Sequence, residues 1–154
     1  MENILVAYFS ATGTTKRAAL ALSDYLDADT FEIVPEIPYS SADLNWNDRQ
    51  SRSSKEMNDE DSRPDIAGQV DDMSAYETIY VGFPIWWYVE PRIIDTFLES
   101  YDMSGKTIIP FATSGGSGLG KTAQHMQGVC SHAIVEQGFM LNDYSAGKLA
   151  SLLG

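Results

Sequence analysis

Six consecutive apolar residues, Ile4 to Phe9, lead straight into the polar turn Ser10–Ala11–Thr12–Gly13–Thr14–Thr15. A run with no polar alternation reads as a strand buried on both faces, as in a parallel sheet covered by helices. The turn packs four hydroxyl side chains and one glycine into six residues, and an alanine-rich, helix-like segment follows at once. A small hydroxyl-rich turn between a central strand and a helix N-terminus suits a phosphate. Backbone N–H groups converge there, the helix dipole favours an anion, and hydroxyls add donors without bulk. The same residues would also serve as a strand–helix connection capped by Ser or Thr, with no ligand.

The rest of the chain fits one domain spanning residues 1–154. Ala18, Ala19, Leu22, Tyr25 and Leu26 recur at helical spacing and predict an amphipathic helix over one sheet face. Thr30 to Pro35 reads as a second strand, Thr78 to Phe83 as a third and Thr107 to Thr113 as a fourth. Pro110 predicts a bulge or local shift in the fourth. Ile93, Ile94, Phe97, Leu98 and Tyr101 trace a helical face after Pro91, which suits a first helical position. A further helix is expected over about Lys121 to Cys130. Ala133 to Leu141 then gives a weak fifth strand broken by Glu136–Gln137–Gly138, and Leu149, Leu152 and Leu153 a short terminal helix. This is an α/β pattern with parallel strands and right-handed crossovers, so the loops after the strands gather on one edge.

Residues 39–77 break the rhythm. They carry ten acids against four bases, half of the chain's net charge of −12, and few apolar side chains. Such a long connection is more often functional or mobile than inert. Leu44 to Met57 has good helix formers but no clean stripe, and Ile66 and Val70 are candidate anchors. The acidic balance disfavours nucleic acid and anionic membrane surfaces and favours partners with basic patches. Cys130 is the single cysteine, so there is neither an intrachain disulfide nor a cysteine cluster for zinc. His125 and His132, seven apart, are a poor ligand pair without further support. With neither a spanning apolar run nor a signal-like N-terminus, the expected location is the cytoplasm.

Two more loops follow strands. Pro84–Ile85–Trp86–Trp87–Tyr88 sets three aromatics side by side, and they cannot all enter the core. An exposed ring at a ligand edge can stack on a flat ligand, while Trp86 and Trp87 could equally pack under neighbouring loops. Ser114–Gly115–Gly116–Ser117–Gly118 would let backbone approach such a ligand. Neither a P-loop nor a dinucleotide fingerprint is complete in the chain. A phosphate site joined to an aromatic-lined slot has the shape of flavin mononucleotide (FMN).

With Tyr8 to Thr15, Pro84 to Trp87 and Thr113 to Gly118 in this order, the chain resembles the flavodoxin-like family, and in particular its short bacterial flavodoxin-related group. The resemblance covers nearly the whole domain. It implies a three-layer, doubly wound five-stranded parallel sheet in order 2-1-3-4-5 and non-covalent FMN. By that similarity Ser10, Thr12, Gly13, Thr14 and Thr15 carry the phosphate. Pro84, Ile85, Trp86 and Trp87 flank the isoalloxazine, and Ser114, Gly115, Gly116 and Gly118 lie along its other side. Many flavodoxins place a glycine beside the flavin, and none occurs here between Pro84 and Pro91. The function implied is a low-potential electron carrier between redox proteins. An FMN-dependent NAD(P)H reductase of quinones or other small acceptors is the enzymatic alternative, and a flavin-free binding module the third.

Overall fold

The computed structural model describes residues 3–45, 47–86, 89–114 and 118–153. In chain order the elements are β1 (Ile4–Tyr8), α1 (Thr14–Leu26), β2 (Asp29–Glu32), β3 (Val34–Pro35), α2 (Arg52–Met57), β4 (Ile66–Ala67), a 3-10 turn (Met73–Ala75), β5 (Thr78–Pro84), α3 (Arg92–Glu99), β6 (Thr107–Thr113), α4 (Thr122–Val129), β7 (Ile134–Val135), β8 (Phe139–Met140) and α5 (Ala146–Leu153). The main sheet is parallel and runs β2-β1-β5-β6, with β7 and β8 sharing the outer edge of β6. Taking β7 and β8 as one interrupted fifth strand, this is the expected order 2-1-3-4-5.

Side chains alternate across the sheet, as the period of a strand demands. Leu5, Ala7 and Phe9 of the first strand join Ile79, Val81, Phe83, Ile108 and Ala112 on one face. There they pack under α3, through Ile93, Ile94, Phe97 and Leu98, and under Met126 of α4. Val6, Tyr8, Tyr80 and Phe111 point the other way, against Ala18, Ala19 and Leu22 of α1 and Leu149 of α5. Helices on both faces explain why Ile4 to Phe9 shows no polar alternation: neither face of the strand meets water.

Two expectations shift in detail. The second strand parts at Ile33, whose N–H donates to Tyr8 O at 2.7 Å. Beyond it, Val34–Pro35 leaves the main sheet and pairs antiparallel with Ile66–Ala67. The bulge expected at Pro110 is absent from β6, which runs unbroken beside β5 with Pro110 opposite Val81. The irregularity falls instead on the neighbouring strand. Ile108 O and Ala112 O accept from Glu136 N and Leu141 N at 2.9 and 2.7 Å, so the nitrogen of Pro110, midway between them, also faces that strand. It has no hydrogen to give. The fifth strand is split opposite it, and Gly138, at φ 73°, fills the gap; a Cβ there would fall 1.9 Å from Pro110 O.

The acidic connection is ordered by side chains reaching into it. Arg92 Nε donates to Glu56 O and Asp59 O at 3.2 Å, and its Nη2 to Met57 O at 3.0 Å, which closes the C-terminal end of α2. Arg63 grips Glu99 through two hydrogen bonds of 2.7 and 3.1 Å. Lys106 Nζ holds the carbonyls of Met73 and Tyr76. Met57 and Met73 are buried in the core, with Ile66 and Val70 packed against it as anticipated. The helix expected within Leu44 to Met57 is confined to Arg52–Met57, where the Ser51 hydroxyl caps Ser54 N.

Gly82 lies opposite Phe111 on the neighbouring strand, and a Cβ there would meet the Phe111 ring at 2.2 Å. Gly82→Ala is expected to lower stability by about 1–3 kcal/mol through overpacking. Gly128→Ala, where nothing lies within 4 Å, should be neutral or stabilising by up to about 1 kcal/mol. Urea unfolding of the two variants beside the parent checks both.

Candidate functional site

The chain leaves β1 at Tyr8 and turns through Ser10 to Gly13 into α1. Gly13 adopts φ 93°, a left-handed conformation that favours glycine, and its N–H donates to the Ser10 hydroxyl at 3.0 Å. No side chain caps α1. The first-turn N–H groups of a helix have no intrahelical acceptor, so this end of α1 keeps open donors and the positive end of its dipole.

Thr12 and Thr14 are exposed above this end, and they share one cleft with Pro84, Ile85, Trp86, Thr113, Ser114 and Asn142. Its volume is about 400 Å³, within the range of small-molecule sites. It lies where β1, β5 and β6 end, the edge at which doubly wound sheets bind ligands. Thus six of the residues picked out from the sequence, Thr12, Thr14, Pro84, Ile85, Trp86 and Ser114, line a single cleft.

The others are placed differently. Thr15 is buried at 1 % exposure, and its hydroxyl bonds the Thr113 hydroxyl at 2.8 Å. It can therefore offer a ligand its backbone N–H while its side chain faces inward. Ser10 spends its hydroxyl oxygen on Gly13 N, which shapes the turn. Gly118 is exposed and does not line the cleft. Trp87, Gly115 and Gly116 lie outside the described residues.

Trp86 borders the cleft but is 4 % exposed. Its ring stands edge-on to Phe9 at 5.7 Å and to Tyr39 at 5.4 Å, so it also belongs to the core. Trp86 and Val89 exchange both backbone hydrogen bonds, at 3.2 and 3.3 Å, which pinches this loop. Tyr39 is held in turn. Its hydroxyl donates to Glu56 Oε1 at 2.5 Å, and the Arg52 guanidinium lies 3.9 Å over its ring. Burial and then the Glu56 hydrogen bond raise the Tyr39 phenol above its ordinary range. The acidic connection thereby supports the floor of the cleft.

Sequence reasoning missed Asn142, whose Oδ1 accepts from Ser114 N at 2.9 Å and which lines the cleft from the far side of the sheet. No motif marks it, because it follows a strand only two residues long. Also missed was a second cluster beneath the same loops. Glu90 and Asp95, both fully buried, gather with Arg92 around His125 of α4. His132 is exposed and takes no part. Burial drives the Asp95 carboxyl up to about 9, with Glu90 adding to the shift, and burial also raises Glu90 itself. Lys16, next in sequence to the hydroxyl-rich turn, pairs with Glu32 at 3.5 Å.

A flavodoxin profile matches residues 3–152. The chain belongs to the flavodoxin family. Among solved structures it resembles a candidate flavoprotein from Bacteroides eggerthii, with 44 % identity, 99 % of this chain and 96 % of that one covered, and a TM-score of 0.95. A second candidate flavoprotein, from Bacteroides uniformis, shows 46 % identity over 97 % of this chain and 96 % of that one, with a TM-score of 0.93. A flavoprotein from Lactobacillus acidophilus, solved in complex with FMN, shares the fold at 22 % identity, with 97 % and 99 % covered and a TM-score of 0.71. No curated protein matches the chain. Among the described residues of this flavodoxin-family chain, no helix is long and apolar enough to cross a membrane.

Thr15→Val keeps the shape of the family's first loop but removes the buried contact with Thr113. It is expected to cost about 1 kcal/mol of stability, read as a lower thermal midpoint.

Proposed function

We propose that this chain binds FMN non-covalently and passes low-potential electrons between redox protein partners. One observation carries the reading. The uncapped start of α1, with Thr12 and Thr14, opens into the same cleft as the apolar segment Pro84–Ile85. An anionic tail and a flat apolar head would each find a matching end.

The residues fit the group. The N–H groups of the first turn of α1, including those of Thr14 and Thr15, and the Thr12 and Thr14 hydroxyls would hold the phosphate. Pro84, Ile85 and the accessible edge of Trp86 would flank the ring system on one side. Ser114 and Asn142 would meet it on the other, with Trp87, Gly115 and Gly116 joining as their place in the sequence implies. Bound FMN supplies the one- and two-electron chemistry. The chain holds the flavin, shields part of it from water and sets its electrostatics. At a net charge of −12, each added electron is opposed, which favours a low potential. The FMN complex of the Lactobacillus relative supports the same reading.

Partners follow from the charge. A basic patch on a reductase or an acceptor would be steered to this acidic surface, with an on-rate that falls as salt rises.

Titration of the purified chain with FMN is expected to give one flavin per chain. Thr12→Val should weaken FMN at least about tenfold, through loss of a donor to a charged group. Riboflavin, which lacks the phosphate, should bind the variant as it binds the parent. Equal losses for both ligands would contradict the placement of the phosphate. Stopped-flow mixing with NADPH should show slow direct reduction, accelerated by a flavodoxin reductase. Fast direct hydride uptake would instead identify the reductase alternative.

A further inference from the structure

Beneath the two loops that border the cleft lies a cluster for which electron transfer has no use. Glu90 precedes α3, Asp95 sits in its first turn, and His125 faces both from α4. His125 Nδ1 is 2.6 Å from Glu90 Oε2 and 4.0 Å from Asp95 Oδ1. Glu90 Oε1 and both oxygens of Asp95 are buried and receive no N–H or hydroxyl; the hydrogen bond open to them is the one between the two carboxyls themselves. The nearest cation is Arg92, whose Nη1 stands 3.8 Å from Asp95 Oδ2. The other nitrogens of its guanidinium reach the carbonyls of Glu56, Met57 and Asp59.

Arg92 and, beyond direct contact, Arg63 both act on the two buried carboxyls, so unmet acceptors rather than a missing charge mark the cluster. Orphaned buried acceptors cost about 1–3 kcal/mol each, more when charged. A single proton bridges only one pair of atoms and leaves an acceptor orphaned. A cation can bond all three residues at once. One ligand atom each from Glu90, Asp95 and His125 already lies within 4.8 Å of the others. Two carboxylates and an imidazole are a donor set that suits zinc.

We propose that Glu90, Asp95 and His125 form a binding site for a divalent transition-metal ion of the zinc class. The Glu90–His125 hydrogen bond gives way to metal bonds of about 2.0–2.2 Å; the imidazole coordinates through Nδ1 and keeps its one ring proton on Nε2, and the proton held on the buried carboxyl pair leaves to solvent. His125 also borders an open cavity of about 610 Å³, with Lys121 and Gln124 on its rim, which gives an ion a route of entry. The bound ion would tie the loop before α3 to α4, and so fix the floor of the cleft from below. The site is independent of the flavin reading, since none of its ligands lines the cleft.

The test is calorimetric titration of Zn²⁺ into the purified chain after dialysis against EDTA, in buffers of different ionisation enthalpy. One ion per chain with net proton release is expected. His125→Ala and Glu90→Gln should each weaken binding about a hundredfold or more. His125 is only partly buried, with 28 % of its side chain exposed, so His125→Ala keeps the test open if Glu90→Gln fails to fold. Asp71→Asn with Asp72→Asn, on the exposed connection, should leave binding unchanged. Absence of uptake by the parent at millimolar Zn²⁺ overturns the proposal. So does equal uptake by His125→Ala, which would mark adventitious surface carboxylates. His125 ring resonances unmoved by excess Zn²⁺ in NMR would overturn it too.

Discussion

Burial of β1 on both faces is the constraint from which the architecture follows. Its backbone groups pair with β2 on one side and β5 on the other, and its side chains feed two separate cores. A strand so enclosed must be covered by helices above and below, which in a parallel sheet means crossover connections. All the strand-to-helix turns then fall on one edge. The cleft at the ends of β1, β5 and β6 is thus a product of the topology before any of its side chains is considered.

The acidic connection shows how a polar segment stays ordered without a core of its own. Burying Met57 and Met73 gives it two apolar anchors. Its backbone carbonyls are then met by long cationic side chains from the α/β body: Arg92, at the start of α3, reaches the end of α2, and Lys106, just before β6, reaches the 3-10 turn. The return contact comes from Tyr39, which packs against Trp86 and is itself held by Arg52. The segment therefore acts on the cleft indirectly, by deciding how deeply one of its aromatic walls is packed.

Periodicity made most of this legible. The unbroken apolar run of the first strand, the helical stripe of Ile93, Ile94, Phe97 and Leu98, and the glycine-rich loop after the fourth strand sufficed for the α/β class and for the edge where the loops meet, while the strand order was implied by the resemblance of the three loops to the flavodoxin-like family. Less legible was anything decided between elements. Pro110 signals a broken ladder, but which strand yields depends on where its nitrogen points. Trp86 and Trp87 look alike in sequence, and the partners Phe9 and Tyr39 are what draw Trp86 inward. Asn142 carries no pattern at all.

The sequence by itself determined the layered α/β class and the hydroxyl-rich turn at the start of α1, because these rest on short-range periodicity and on the backbone needs of a helix terminus; the strand order came with the family resemblance. Only the tertiary structure decided that Thr15 turns its hydroxyl to Thr113, that Trp86 joins the core, and that His125 meets Glu90 and Asp95 rather than His132. Those outcomes depend on which side chains from distant segments meet when α3 and α4 pack side by side on the sheet, and no local spacing encodes that encounter.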